Sequence, residues 1–193
     1  DIRRYEYEWA DKYLIATFPS RHYDIELYPA VKRHLLSFGK ERLEQTGKTY
    51  SINGEKIKAR KKTHNKWFET QDSISYWEDF MRPKIIWKRI GSILRFSYDT
   101  TGNLGLDSTC FATGQHMAYL CCILNSLMGH YMFKDSPKTG TGDLLVSVQA
   151  IEPILIPMNK DMECLFENLL EEVLEHRSEE TEKEINRLAF KLY

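Results

Sequence analysis

The 193-residue sequence lacks the cysteine patterns that mark zinc sites and disulfide-stapled domains. Its four cysteines include no Cys-x-x-Cys pair, and the adjacent Cys121 and Cys122 would point in different directions from a helix. Neither a zinc site nor a disulfide framework is therefore predicted. We interpret the cysteines as reduced, buried thiols of a cytoplasmic protein.

Long apolar runs are missing as well. No run approaches the ~18 residues that a membrane-spanning helix requires, so no membrane association is expected. No signal-peptide pattern opens the chain, which agrees with a cytoplasmic location. The sequence begins at Asp1 without an initiator Met. We therefore expect it to be a segment of a longer protein.

Motifs for nucleotide cofactors and for hydrolysis are also absent. Residues 139–142 alternate Thr and Gly but lack the Gly-Lys-Ser/Thr ending of a P-loop, which favours a flexible loop. Glu78 and Asp79 precede Lys84, but neighbouring acids on one helical turn do not converge on a metal ion as nuclease acids do. No Gly-x-Ser-x-Gly turn is present. No catalytic residue, cofactor or metal ion is therefore predicted for this chain itself.

The sequence does contain a local concentration of positive charge, although its formal net charge is only −1. Lysines and arginines crowd residues 56–95, and tryptophans lie among them. A basic surface with planar side chains suits a polyanion that carries stackable bases. The alternative is a solvated basic loop beside tryptophans of the core.

The candidate DNA contacts come from two stretches of this segment. In the first, lysines would neutralise phosphates, while Arg60, His64 and Asn65 offer donors to base edges in the major groove. The second is an Ile-rich strand at the sheet periphery, whose cations extend past the apolar layer. Trp67 is expected on the DNA side and Trp87 in the core. The predicted contacts are Arg60, Lys61, Lys62, His64, Asn65, Lys66, Trp67, Lys84, Lys88 and Arg89.

Hydrophobic patterning predicts mixed elements in the first half of the chain. Aromatic and β-branched runs at 4–9 and 13–18 are typical of a β-hairpin. A helix follows, with Pro29 in its first turn and Gly47 past its end. Residues 48–63 are polar and contain the turn signal Asn53-Gly54, which predicts a loop or a protruding hairpin.

The second half alternates strands and helices before ending in two helices. Strands are predicted at 84–90, 93–98 and 109–113, with one or two more within 144–157. The clearest helix covers 116–133, with an inward stripe of Met117, Leu120, Leu124, Leu127 and Tyr131. Helices at 161–176 and 179–192 should bury Leu165, Leu169, Val173, Ile185, Leu188 and Leu192. This end of the chain is acidic and should not lie along a phosphate backbone.

These elements predict an α+β fold, with a central mixed or antiparallel β-sheet, packed helices and a C-terminal helical pair. Several stretches, in order, also resemble one family, the Taq-like C-terminal specificity domain. Their order and spacing carry the resemblance, which includes an "LL-x-x-LNS" helix and covers nearly the whole chain. The resembling stretches are residues 1–5, 12–15, 28–35, 66–71, 82–90, 119–126, 154–157 and 184–193.

The resemblance implies a target-recognition domain of a type IIG restriction–modification enzyme, or of a related adenine-specific DNA methyltransferase. Double-stranded DNA would be its partner. In such proteins an N-terminal domain binds S-adenosylmethionine and methylates a flipped adenine. This chain lacks that domain's Gly-rich turn and its Asn-Pro-Pro-Tyr-type motif. S-adenosylmethionine is therefore expected in an N-terminal methyltransferase domain of the parent protein. Whether the parent also cleaves DNA stays open.

The resemblance implies that residues 1–158 form the DNA target-recognition domain and that 159–193 form a helical hairpin packed on it. Two other interpretations remain. The chain could be a specificity-subunit module of a multisubunit restriction system, with its C-terminal helices docking a separate catalytic chain. It could instead be a self-contained nuclease, which the missing metal constellation disfavours.

Overall fold

The computed structural model describes residues 1–193 and separates into two compact units. The larger unit comprises Asp1–Ala10 and Trp77–Tyr193, and the smaller is Asp11–Tyr76. Antiparallel strands and helices occur in both, so the predicted α+β class is confirmed. The predicted division at residue 158 does not coincide with this separation, and the assignment of a recognition domain to 1–158 stays a prediction.

The smaller unit contains two short helices and one β-hairpin. These are α1 (Pro29–Leu36), α2 (Lys40–Leu43), β1 (Thr49–Ile52) and β2 (Glu55–Lys58). Asn53 and Gly54 connect the strands with φ values of 50° and 83°, as a type I′ turn requires. The hairpin alternative of the sequence prediction is thus confirmed. The predicted long helix is interrupted, because Gly39 adopts a left-handed φ of 87° between α1 and α2.

The predicted N-terminal β-hairpin is wrong. Residues 11–18 form no strand, and the segment before them makes only isolated bridges, Ile2 with Tyr7 and Tyr5 with Ser97. Tyr5 has a left-handed φ of 68°, which breaks the extended conformation. Its amide nitrogen instead donates to the Phe96 carbonyl at 2.9 Å. Tyr5 therefore pairs with the residues of a later strand, 96–98, and the predicted hairpin does not form.

A three-stranded antiparallel sheet forms the middle of the larger unit. The strands in chain order are β3 (Lys84–Lys88), β4 (Ile90–Gly91), β5 (Phe96–Asp99), β6 (Thr109–Thr113) and β7 (Leu144–Leu145). The sheet order is β5–β3–β6, and β4 pairs with β7 in a separate two-stranded sheet. The strand predicted at the periphery, β3, is therefore the central one. Trp87 lies opposite Phe96 on one side and Cys110 on the other.

Five helices complete the larger unit, and none of them combines the length and the apolarity that crossing a bilayer demands. They are α3 (Met117–Asn125), α4 (Leu127–Met132), α5 (Val148–Ile151), α6 (Lys160–Glu175) and α7 (Glu179–Lys191). The two predicted C-terminal helices are confirmed. On α7, Ile185 and Leu188 are buried as expected. On α6, Phe166 and Leu170 are buried, whereas Leu165 is 48% exposed against expectation.

The helix predicted over 116–133 is divided at Ser126, whose ψ of 168° is extended. The Ser126 hydroxyl oxygen accepts from the Gly129 amide at 3.2 Å and so caps α4. A Cβ on Gly129 would lie 2.4 Å from the Ile123 carbonyl oxygen, so only glycine permits this approach of α4 to α3. The break turns Leu127 and Tyr131 out of the predicted stripe and into solvent.

Helix α3 supplies the centre of the core. Cys121, Cys122 and Ile123 are fully buried, so the helix is enclosed on more faces than one stripe. All four cysteines are free thiols, but only these two are buried. Burial raises the pKa of both thiols. They act as packing groups with little thiolate character.

Candidate nucleic-acid interface

The smaller unit contains a loop of residues 60–71, here called the basic loop, which is held in place by the buried side chain of Gln45. The Gln45 amide nitrogen donates to the carbonyl oxygens of Lys66 at 3.1 Å and Glu69 at 2.8 Å. Its amide oxygen accepts from the Thr63 hydroxyl at 2.6 Å. A buried amide with three partners fixes the loop at three points.

Arg60 holds the same loop from its other end. Its Nε donates to the Leu43 carbonyl at 2.7 Å, Nη1 donates to the Glu69 carbonyl at 3.0 Å, and Nη2 donates to the Trp67 carbonyl. Burial lowers the pKa of Arg60. Three of its donors therefore serve the fold, and the structure gives Arg60 an internal role that the sequence did not predict.

Asn65 is a second predicted contact whose donors are used internally. Its side-chain nitrogen donates to the carbonyl oxygens of Thr70 and Gln71, both at 3.0 Å. The Glu69 carboxylate accepts from the Lys66 amide at 2.7 Å, which closes the loop further. Asn65 therefore shapes the basic loop and has no free donor for a base edge.

The remaining predicted residues of the loop point outward. Lys61, Lys62, His64 and Lys66 are exposed, and none forms an ion pair. Trp67 is half-buried and packs edge-to-face on Phe68 with ring centroids 5.7 Å apart. The loop thus presents cations without a carboxylate partner on a backbone that Gln45, Arg60 and Asn65 hold fixed. Such an arrangement suits an anionic polymer, because less conformational entropy is lost on binding.

Lys84 does not belong to this kind of surface. Its side chain is 0% exposed and forms an ion pair with the equally buried Asp99. The ammonium also donates to the Phe80 carbonyl at 2.6 Å. The prediction that Lys84 contacts DNA is wrong, because β3 is the central strand and the side chain of its first residue is buried. A lysine on a peripheral strand could extend past the apolar layer, but on the central strand Lys84 is covered from both sides.

Asp99 gathers a network around that pair. Its carboxylate accepts from the backbone amides of Thr101 at 2.9 Å and Asn103 at 3.0 Å, and from the Tyr7 hydroxyl at 3.1 Å. Burial by itself would raise the pKa of Asp99, but the hydrogen bonds from Lys84 and Thr101 outweigh it and lower the pKa. The network ties the turn after β5 to the start of β3.

Lys88 and Arg89 lie at the other end of β3 and are exposed. The Lys88 ammonium pairs with the Asp1 carboxylate at 2.8 Å, and both side chains are about half exposed. Trp87, one position earlier, is only 2% exposed, and its indole nitrogen donates to the Val146 carbonyl at 2.8 Å. The expected core role of Trp87 is confirmed.

The acidic residues of the larger unit lie largely on the exposed faces of α6 and α7. Glu171, Glu175, Glu179 and Glu180 are exposed. Glu172 differs from them, because it accepts from the hydroxyl of the buried Thr181 at 2.5 Å and joins α6 to α7. The acidic face repels phosphates, whereas Glu172 has a structural role.

Sequence reasoning missed Gln45, Glu69 and the internal use of Arg60 and Asn65. Polar residues in a polar stretch show no hydrophobic periodicity that would reveal which of them are buried. Their hydrogen-bond partners are known only once the backbone is folded. Asn65 is followed by Thr70 and Gln71 within a few positions, but nothing in the local sequence distinguishes this loop-closing role from base recognition.

Comparison with protein families gives one match, the TaqI-like C-terminal specificity domain, over residues 1–151. Curated proteins give no match. The matched part contains the basic loop and the three-stranded sheet, and it stops before α6 and α7. Two of the resembling stretches, 154–157 and 184–193, lie beyond it. Domains of this kind recognise specific DNA sequences in restriction–modification systems. With most of its length matched, the chain belongs to the TaqI-like C-terminal specificity domain family.

Proposed function

We propose that this chain is the double-stranded DNA target-recognition domain of a restriction–modification DNA methyltransferase that modifies adenine at N6. In this proposal the chain selects the DNA site, and an N-terminal domain of the parent protein binds S-adenosylmethionine and transfers the methyl group. The observation that supports it most directly is the basic loop, where Lys61, Lys62 and Lys66 are exposed, without ion pairs, on a fixed backbone.

The physical basis is counterion release combined with a preformed surface. Each lysine that neutralises a phosphate releases counterions, and this favours association at low salt. A loop that is already ordered loses less entropy than a mobile one. His64, exposed on the same loop, can donate to or accept from a base edge. Lysines would therefore position the duplex, and His64 would contribute to sequence discrimination.

The test removes the three lysines and leaves Arg60 in place, since Arg60 supports the loop. The triple variant Lys61→Ala, Lys62→Ala, Lys66→Ala should bind duplex DNA more weakly. Its log–log salt slope should fall by about 0.9 for each phosphate that is no longer neutralised. Fluorescence anisotropy across a salt series would measure both effects in the full-length parent and in the isolated chain.

The matched control removes three exposed lysines from the acidic end, Lys160→Ala, Lys183→Ala and Lys191→Ala. This control variant changes the net charge by the same amount as the basic-loop variant, and its log–log salt slope should stay at the wild-type value. If the two triple variants behave alike, the basic loop is a solvated surface and the proposal loses its main support.

The methyltransferase part needs a separate assay. The parent protein should convert adenine to N6-methyladenine in duplex DNA, as detected by mass spectrometry of the nucleosides. The isolated chain should neither methylate DNA nor bind S-adenosylmethionine, because it has no Gly-rich cofactor turn. Methyl transfer by the purified chain would contradict the proposed separation, and methylated cytosine would contradict the adenine assignment.

The alternative is a specificity-subunit module whose catalytic chain is a separate polypeptide. The exposed outer faces of α6 and α7 are the surface that would dock such a chain, because their apolar faces are already buried in the core. The upstream reading frame distinguishes the two. A methyltransferase domain in the same polypeptide supports the first proposal, and its absence there supports the second.

A further inference from the structure

Two small cavities adjoin at the end of β3, and Lys88 lines both of them. The first has a volume of about 130 Å³ and is lined by Ile2, Lys88, Gly91, Ser92, Ile93 and Arg95. The second has a volume of about 90 Å³ and is lined by Lys88, Arg89, Ile90 and Ser108. We call the two together the Lys88 surface.

The two cavities share some lining residue types, and the second is the more apolar of the two. Each is lined by Lys88, by one arginine and by one serine, which are Arg95 and Ser92 in the first and Arg89 and Ser108 in the second. No carboxylate lines either cavity. Cations and hydroxyl donors arranged in this way are the groups that bind phosphate oxygens.

Arg95 gives the strongest indication of an external anion. Its side chain is half-buried, yet its guanidinium has no hydrogen bond or ion pair within the protein. A guanidinium without a partner inside the protein is free to pair with an anion that enters the first cavity. Lys88 is paired only with Asp1, and exposed ion pairs of this kind are weak enough to exchange.

The size of the cavities limits what they can hold. Both are well below the roughly 300–1,000 Å³ of ordinary small-molecule sites. They have room for a few water molecules, and hence for a phosphate group, but not for a whole nucleotide. A phosphate that belongs to a polymer fits this constraint better than a free metabolite does.

We propose that the Lys88 surface seats two neighbouring phosphates of one DNA strand and so orients the duplex without reading its sequence. This inference rests on the proposed function, because it requires that the chain bind duplex DNA. On binding, a phosphate oxygen replaces the Asp1 carboxylate at Lys88, and Arg95 acquires an anionic partner. Arg95 thereby joins the interface, although the sequence singled out only Lys88 and Arg89.

The test is the double variant Lys88→Gln, Arg95→Gln in the full-length protein, titrated with a specific and a scrambled duplex over a salt series. Affinity for both duplexes should fall by the same factor, and the log–log slope should decrease by about 0.9 for each phosphate left without its cation. The ratio of the two affinities should stay constant, since phosphate contacts carry no sequence information. The matched control is Arg187→Gln, Lys191→Gln on α7, which should change neither quantity.

A second pair of variants distinguishes a loss of DNA binding from a loss of folding. Ser92→Asp and Ser108→Asp keep every cation but place a carboxylate in each cavity, at positions that are exposed. Each should weaken binding to both duplexes, while thermal melting stays at the wild-type temperature.

The outcomes separate the two proposals. If the wild-type protein binds no duplex, the proposed function fails. If it binds while the glutamine and aspartate variants match it, only the Lys88 surface is refuted. A selective loss of the specific duplex would show that these residues read bases, which also overturns the inference.

Discussion

The side-chain amide of Asn125 bonds both backbone polar groups of Phe96. Its Oδ1 accepts from the Phe96 amide at 3.1 Å, and its Nδ2 donates to the Phe96 carbonyl at 2.7 Å. Phe96 begins β5, an edge strand of the three-stranded sheet. The last residue of α3 therefore accepts from the Phe96 amide and shares the Phe96 carbonyl with the Tyr5 amide.

Replacing Asn125 should destabilise the larger unit. The variant Asn125→Leu leaves the buried Phe96 amide without an acceptor, which costs about 1–3 kcal/mol of unfolding free energy. Urea denaturation would measure the loss. Asn168→Leu, at an exposed position on α6, is the matched control and should leave stability close to wild type. Equal midpoints for the two variants would show that the Asn125–Phe96 bonds contribute little.

The buried Lys84–Asp99 pair should behave as a coupled unit. Lys84→Met leaves the Asp99 carboxylate buried without its cation, and a loss of about 3–5 kcal/mol is expected. Adding Asp99→Asn removes the unpaired charge but keeps a side-chain oxygen that can accept from the Thr101 amide, and it should restore part of that loss. A double-mutant cycle by chemical denaturation measures the coupling. Additive losses would argue against a coupled pair.

The same pair predicts a pH dependence. The pKa of Asp99 is lower in the folded protein than the ordinary aspartate value of about 3.9. Its contribution to stability is therefore full above that ordinary value and is lost as the pH falls through the lowered, folded pKa. The stability gap between wild type and Asp99→Asn should be constant near neutral pH and should narrow in acid. If the difference in unfolding free energy between wild type and Asp99→Asn grew in acid, the pKa of Asp99 would not be lowered in the folded protein.

Gln45 should control the order of the basic loop. Gln45→Leu removes the bonds to Thr63, Lys66 and Glu69 at a buried position. Hydrogen exchange at the amides of residues 63–69 should accelerate, and duplex affinity should fall although every proposed DNA-binding side chain is still present. Gln149→Leu, on the exposed surface of α5, is the control. Unchanged exchange would mean that Arg60 and Asn65 hold the loop without Gln45.

Trp87 and Trp67 should respond differently to truncation. Trp87→Ala removes a buried indole and should cost about 3–5 kcal/mol of stability. Trp67→Ala, at a half-buried position, should cost less and should weaken duplex binding. Thermal melting and duplex titration of both variants measure the two effects. If Trp67→Ala unfolds the chain, its neighbourhood is structural and the interface must lie elsewhere.

The acidic faces of α6 and α7 should play no part in DNA binding. Alanine at Glu171, Glu175, Glu179 and Glu180 should leave duplex affinity and its salt slope almost unchanged, because exposed charges beyond about 10 Å are screened. Glu172 is left intact because it bonds Thr181. Fluorescence anisotropy titration of duplex DNA would compare this variant with the triple lysine variant of the basic loop. A large loss of affinity would instead place this helical pair at the DNA.

Features that depend on a few consecutive residues were predictable from the sequence. The turn at Asn53-Gly54 follows from two residues that tolerate a left-handed φ, and it produced the expected hairpin. The periodicity of 161–176 and 179–192 predicted α6 and α7, and the ordered motifs identified the family. Patterns of this kind are short-range, because backbone conformation and helical spacing are set locally.

The roles of individual polar side chains were decided only by the tertiary structure. Lys84 and Lys88 begin and end the same strand, yet Lys84 is enclosed with Asp99 and Lys88 is exposed. Arg60 and Lys61 are adjacent, yet Arg60 donates to the carbonyl of Leu43. Whether a cation binds the fold or faces a ligand depends on which strand is central and which carbonyl lies nearby. Those partners are brought together by packing between segments distant in sequence, and no local pattern encodes them.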